Sequence, residues 1–257
     1  MRLKLFWAGI LVILTCPVTA GNAAMPEGPD DNEQKAIALV DRMEEIYRGD
    51  SSRAKMTMTI ETPEYQRSLT LAAESMGTED SLIRVLSPAK DRGITTLKLD
   101  KEMWNYFPKI NKVIKVPPSM MMGSWMGSDF TNDDLVQETK LTDEYRLTLN
   151  EDADSYNITL VPRAQTVTVW GRIDYIIDKQ KLIPLGQNFY DDKGEMVRKL
   201  TFSDPKQFGK LLLPSKLEMV PLNKEGHRTV VKYDELVFDP KDVTKDDFTL
   251  RNLKSRF

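Results

Sequence analysis

The stretch SRAKMTMTIE, residues 52–61, alternates with a period of two. Ala54, Met56, Met58 and Ile60 fall on one side of it, and Lys55, Thr57 and Thr59 on the other. Successive side chains of a strand point to opposite faces, so this stretch predicts a half-buried strand and not a helix. The same pattern returns downstream in YQRSLTLAAESM (65–76), DSLIRVLSP (80–88), GITTLKLD (93–100), EMWNYFP (102–108) and KVIKV (112–116), the last two flanking the turn KIN. It continues in SYNITLVP (155–162), TVTVWGRIDYIID (166–178), LIPLGQNFYD (182–191), MVRKLTFSD (196–204), KLLLPSKLEMV (210–220) and RTVVKYDELVF (228–238). Turn residues separate several of these runs, among them Asp178-Lys179, Asp191-Asp192-Lys193-Gly194 and Asn223-Lys224-Glu225-Gly226.

Strands that follow one another with short turns make an antiparallel sheet, because a parallel neighbour needs a long crossover. A sheet this large must curl, stack or close to bury a face and protect its edges. Upstream of it, Ala36, Ile37, Val40, Met43 and Tyr47 recur at helical spacing, which predicts a helix over 33–47 with Gly49 as its stop. This helix is the natural cover for the concave side of a curved or barrel-like sheet. Thr131 and Asp134 form a capping box that predicts a short helix from Asn132 to about Gln137.

The chain begins with a basic start, MRLK, an apolar run, LFWAGILVILT, and small residues in CPVTAGNAA. That order is a secretory signal ending at Ala20, or at Ala24 as the alternative. The run is shorter than the ~20 residues that a membrane span needs. Cys16, the one cysteine, raises lipid attachment as a rival reading; under cleavage at Ala20 it leaves with the signal. Loss of Arg2 and Lys4 then takes the net charge from −3 to −5. Residues 21–257 are expected as one exported, soluble domain with a flexible leader to about residue 32.

With one cysteine and one histidine in 257 residues, little metal or nucleophile chemistry is available. His227 sits in a polar turn, NKEGHRT, and no Gly-x-Ser-x-Gly elbow occurs. The acidic clusters at Asp129/Asp133/Asp134, Asp191/Asp192 and Asp246/Asp247 lack the spacing of a calcium loop. No cofactor and no catalytic residue is assigned, and the negative charge predicts no nucleic-acid partner. One segment does not fit an ordinary surface: PPSMMMGSWMGSDFTNDDL, 117–135, concentrates Met120, Met121, Met122, Trp125 and Met126 between Pro and Gly. It reads as a packed loop, as a thioether copper(I) site, or as an adaptable contact with a lipid-like ligand or partner.

TTLKLDKEMWNYFPKINKVIKV (95–116), MGSDFTNDDL (126–135), YNITLVPR (156–163) and IDYIIDKQKLIPLGQNFYDDKGEMVRKLTFSD (173–204), in that order, resemble the outer-membrane lipoprotein-sorting proteins, the LolA-like periplasmic carriers. The resemblance runs over roughly residues 30–250. It implies a mainly β fold with few helices: a strongly curved, unclosed antiparallel half-barrel with a helical lid over its concave face. It also implies an apolar cavity for acyl chains, a periplasmic location and an arginine that holds the lid, for which Arg84 in LIRVLSPAKDRG is the candidate. The partners implied are lipoprotein or lipid cargo, an inner-membrane transporter and an outer-membrane acceptor. The alternative role is a lipid- or lipoprotein-sensing accessory of a membrane transporter. The expected lipid-binding residues are Met56, Met58, Ile60, Trp104, Tyr106, Leu160, Val169, Leu217 and Met219. Met120, Met121, Met122, Trp125 and Met126 are the expected gate or partner contact.

Overall fold

A computed structural model of the chain describes residues 30–136, 140–166 and 168–255. The signal segment, its cleavage sites, Cys16 and Gln137 lie outside these residues. The chain opens with α1 (Asp31–Glu45), followed by β1 (Ser51–Glu61), β2 (Gln66–Met76), β3 (Asp80–Ser87), β4 (Thr95–Leu99), β5 (Glu102–Phe107) and β6 (Lys112–Lys115). Two short helices, α2 (Asn132–Val136) and α3 (Leu141–Glu144), precede β7 (Tyr145–Glu151), β8 (Ser155–Pro162), β9 (Arg172–Asp178) and β10 (Pro184–Tyr190). Then come β11 (Met196–Phe208), β12 (Leu211–Pro221), β13 (Arg228–Phe238) and α4 (Leu250–Leu253).

Among the described residues, thirteen strands form one sheet in the order β6-β5-β4-β3-β2-β1-β13-β12-β11-β10-β9-β8-β7. Every neighbouring pair is antiparallel. The sheet does not close, since its end strands β6 and β7 are consecutive in the chain and do not pair. The unclosed half-barrel expected from the resemblance is therefore the fold. The segment between β6 and β7 leads from one edge of the sheet to the other, and it contains the Met-rich stretch, α2 and α3.

Each edge is protected by its own device. Asn32 of α1 donates from Nδ2 to the Leu149 carbonyl (3.0 Å), and its Oδ1 accepts the Leu149 N–H (2.9 Å). Glu33 Oε1 accepts the Leu147 N–H at 3.4 Å. Helix side chains thus stand where another strand would have paired with β7. At the opposite edge β6 is only four residues long, with a lysine at each end.

The helix α1 is capped by Asp30, whose side chain accepts the Glu33 N–H at 2.7 Å, and it buries Ala36, Val40 and Met43. The expected helix over 33–47 overlaps it closely. Gly49 ends the turn that follows at φ +57°, where a Cβ would lie 3.1 Å from the Phe238 ring. The Thr131 capping box also forms: Asp134 Oδ2 accepts the Thr131 N–H (2.7 Å) and Thr131 Oγ1 accepts the Asp134 N–H (3.1 Å).

Two differences from the sequence reading have local causes. The expected strand from residue 166 begins only at Arg172. Gly171 lies so close to the backbone of Asp191 that a Cβ would meet its carbonyl oxygen at 2.4 Å, and Val169 before it is left 47% exposed. The second difference is the C-terminal segment, where Val243, Phe248 and Leu253 pack on the outer face against Leu82 and Leu97. Trp104 pairs across the ladder with Leu97, so Trp104 and Tyr106 join this outer cluster. Their expected inward orientation is corrected by that register.

Candidate functional site

Alternation along the strands carries an apolar wall around the inner face. Met56 of β1, Leu71 of β2, Ile173 and Tyr175 of β9, Phe189 of β10, Leu200 of β11, Leu217 and Met219 of β12 and Val231 of β13 enclose a cavity of about 420 Å³. Met43 and Tyr47 bring α1 and the turn after it to the same cavity, and Trp125, Phe130 and Leu135 bring the segment between the two sheet edges. The volume falls within the ~300–1,000 Å³ of small-molecule sites. The hollow lies between two buried clusters, one centred under α1 and the other on β1–β3.

The β6–β7 segment is a lid fastened at four places. Trp125, 5% exposed, donates from Nε1 to Thr96 Oγ1 on β4 at 3.0 Å. Arg67 of β2 donates to the Met126 carbonyl at 3.2 Å. Thr229 of β13 both accepts the Asp129 N–H (2.9 Å) and donates to Asp129 Oδ2 (2.7 Å), and His227 Nδ1 stands 3.8 Å from Asp129 Oδ1. Arg198 of β11 closes the set with two parallel bonds of 2.8 Å to both oxygens of Asp134. Arg198 is buried, and its guanidinium carbon lies 4.2 Å from the Phe189 ring centre and 4.7 Å from that of Trp170. A planar fork with an aromatic floor is a geometry lysine cannot reproduce.

The arginine that binds this segment to the inner face of the sheet is Arg198. Arg84 points outward and donates to the carbonyls of Asn252 (2.7 Å) and Ser255 (2.8 Å), holding α4 on the outer face. Arg198 carries a signal that alternation alone makes visible: it stands in phase with Leu200 and Phe202, a cation on the apolar side of a strand.

The residues singled out in the sequence separate into four groups. Met56, Leu217, Met219 and Trp125 line the cavity. Met58, Ile60 and Leu160 are fully buried on the inner side, the first two in the cluster that receives Trp125 and the third beneath α1. Trp104 and Tyr106 are on the outer cluster, and Val169 is exposed. Of the methionines, Met121 and Met126 turn inward onto the Trp125 cluster, while Met120 and Met122 are exposed by 58% and 41%.

One carboxyl group in the wall is unusual. Burial pushes Glu44 of α1 up to about 7, against the opposing pull of the Leu141 N–H that it accepts at 3.3 Å. Since the folded value lies above the unfolded one near 4.5, the native protein binds the extra proton. Stability is then full at low pH and is lost as pH rises from about 4.5 through about 7. Glu44→Gln is expected to remove that loss, so its urea midpoint relative to wild type rises between about pH 5 and pH 8. A difference that is the same at both pH values contradicts this.

Among the described residues no group of three or more His, Cys, Asp or Glu is placed to hold a metal ion. No helix among them is long and apolar enough to cross a membrane.

Solved structures with the same fold come from several bacteria. An outer membrane lipoprotein-sorting protein domain of Vibrio parahaemolyticus superposes with a TM-score of 0.74 at 21% identity, over 87% of this chain and 100% of that one. A DUF1329 family protein of Desulfovibrio piger gives 0.75 at 24%, with the same coverage. A LolA superfamily protein of Nitrosomonas europaea gives 0.68 at 17%, over 84% of this chain and 98% of its own. At these identities the likeness establishes the fold. A family model described as uncharacterized protein-like matches residues 77–255. No curated protein matches the sequence.

Proposed function

We propose that this chain, which belongs to the uncharacterized protein-like family matched over residues 77–255 and has the LolA-superfamily fold, is a periplasmic carrier of acyl chains. The observation that carries the proposal is the covered, mainly apolar cavity between the sheet, α1 and the β6–β7 segment. Each methylene of an acyl chain left in water costs about 0.8 kcal/mol. A molecule that moves such a chain between membranes needs a portable apolar interior and a cover that opens, and no catalytic group. Met56, Leu217 and Met219 are assigned to the ligand wall and Trp125 to the underside of the lid. Lipidated protein or lipid is the cargo, received from an inner-membrane transporter and passed to an outer-membrane acceptor. Met120 and Met122, exposed and with the adaptable unbranched side chain of methionine, are the contact with those partners.

The test is binding of a fluorescent acyl probe, with mass spectrometry of lipids that co-purify from the native compartment. Wild type is expected to bind the probe, and Met219→Trp, which fills the cavity from β12, to weaken binding about tenfold or more. Absence of both probe binding and co-purified lipid overturns the proposal. Probe binding together with stable capture of a membrane protein and no transfer of lipid favours a sensing accessory instead.

A further inference from the structure

We infer that one end of the cavity seats an anionic headgroup, a phosphate or carboxylate borne on an acyl chain, and that Arg48 and Lys98 hold it. The inference rests on the acyl-chain reading and adds the chemistry of the ligand's polar end. The cavity wall changes character around the end of α1 and the β2–β3 turn, where Arg48, Ser52, Ser75, Thr78 and Ser81 line it. Arg48 Nη1 and Lys98 Nζ both donate to the Thr78 carbonyl oxygen, at 3.1 and 2.5 Å. Lys98 is only 4% exposed. It lies on the inner side of β4, in phase with Thr96, which binds the lid tryptophan.

Among the described residues no carboxylate oxygen lies within the 4.0 Å of an ion pair from either cation. The carboxylates at this end already have partners. Glu74 accepts from Arg53 at 2.8 Å, Asp80 pairs with Lys245, and Glu44 accepts the Leu141 N–H. One carbonyl oxygen therefore accepts from two cations, the buried Lys98 and the half-buried Arg48. Burial lowers the affinity of both groups for their protons; at Lys98, which falls to about 8, the neighbouring guanidinium adds to the effect while Asp100, Asp80 and Glu79 oppose it, and at Arg48 Tyr233 and Glu44 oppose it. A buried charge is costly unless it is paired, and two like charges side by side raise that cost. A single anion between them supplies the missing pairing. The guanidinium offers parallel donors for a carboxylate or phosphate, and the ammonium a point charge beside it. Towards Phe189, Leu200 and Met219 the wall is mainly apolar, although Gln187, Glu44, Asp133, Asp134 and Glu144 also line the cavity. A ligand charged at one end and apolar along its length matches this division.

The experiment displaces a neutral fluorescent acyl probe with hexadecyl phosphate, palmitate, hexadecanol or inorganic phosphate. Both acidic amphiphiles are expected to bind about tenfold or more tightly than hexadecanol, and added salt to narrow that gap. The Arg48→Met/Lys98→Met variant is expected to lose the preference while retaining its affinity for hexadecanol. Should the double variant not fold, Arg48→Gln alone must reduce the preference. Hexadecanol binding as tightly as the acids, or a preference that survives the substitutions, overturns the headgroup seat and leaves the carrier reading standing. Inorganic phosphate binding as tightly as hexadecyl phosphate assigns the pair to a free anion and overturns the seat as well. Failure of every amphiphile to bind removes both readings together.

Discussion

Asp134→Ala is expected to lower the stability of the protein by about 3–5 kcal/mol and to speed release of a bound acyl probe. The size follows from what remains behind. Arg198 is 5% exposed and would keep its charge with no carboxylate to answer it, and removing one partner of a buried pair typically costs about that much. Asp134 also caps α2 through the Thr131 N–H, a contact worth about 1 kcal/mol. Asp134→Asn separates the two, because its side-chain oxygen retains the cap while the ionic fork is lost. Arg198→Met is expected to cost less than Asp134→Ala, since Asp134 is more exposed than Arg198 and has the Thr131 N–H as a second partner. Combining Asp134→Leu with Arg198→Met removes both charges. It should be more stable than the sum of the single losses implies, as expected for residues that share one interaction. Urea midpoints check the ordering, and stopped-flow dilution of the loaded probe checks the release rate. Additive losses, or a release rate unchanged by Asp134→Ala, contradict the role of this pair as the fastening of the lid.

The arrangement of strands was readable because an antiparallel sheet writes its two faces into neighbouring residues. Met56, Leu217 and Met219 were found by that alternation, and they line the cavity. The same rule failed at Trp104 and Tyr106 for a physical reason. Alternation identifies two sides but not which one faces inward, and β5 has apolar residues on both. Met103 goes to the inner cluster while Trp104 goes to the outer one, under a C-terminal segment whose short helices gave no periodic signal. Val169 failed differently, because the strand begins only after Gly171, whose backbone contact with Asp191 interrupts an otherwise alternating run. Arg198 was not singled out, although it stands as a cation in phase with Leu200 and Phe202. Its partner Asp134 is 64 residues away, and local pattern does not reach that far. Arg48 and Lys98 show the same limit, since only the folded chain brings the turn after α1 and the end of β4 to one carbonyl.

Trp125→Ala is expected to cost about 3–5 kcal/mol, the usual range for removing a large buried aromatic side chain. Two contributions make up the loss, and a pair of milder variants divides them. Trp125→Phe deletes the Nε1–H bond to Thr96 and keeps most of the ring, so its cost is about 1 kcal/mol. Thr96→Val removes the acceptor instead, and with it the donation from Thr96 to Asn105 at 2.6 Å. It should therefore cost at least as much as Trp125→Phe. The remainder belongs to packing against the cluster that contains Met58 and Ile60. Because Trp125 also lines the cavity, its removal enlarges the space for a ligand, and a saturating acyl chain should restore part of the lost stability. A ligand at a hundred times its dissociation constant adds about 2.7 kcal/mol to the native state. Thermal melts with and without probe therefore read the anchor and the cavity wall separately. Loss of stability with no recovery by ligand assigns Trp125 to the core alone. A variant no weaker than Trp125→Phe shows that the ring's burial does not hold the lid.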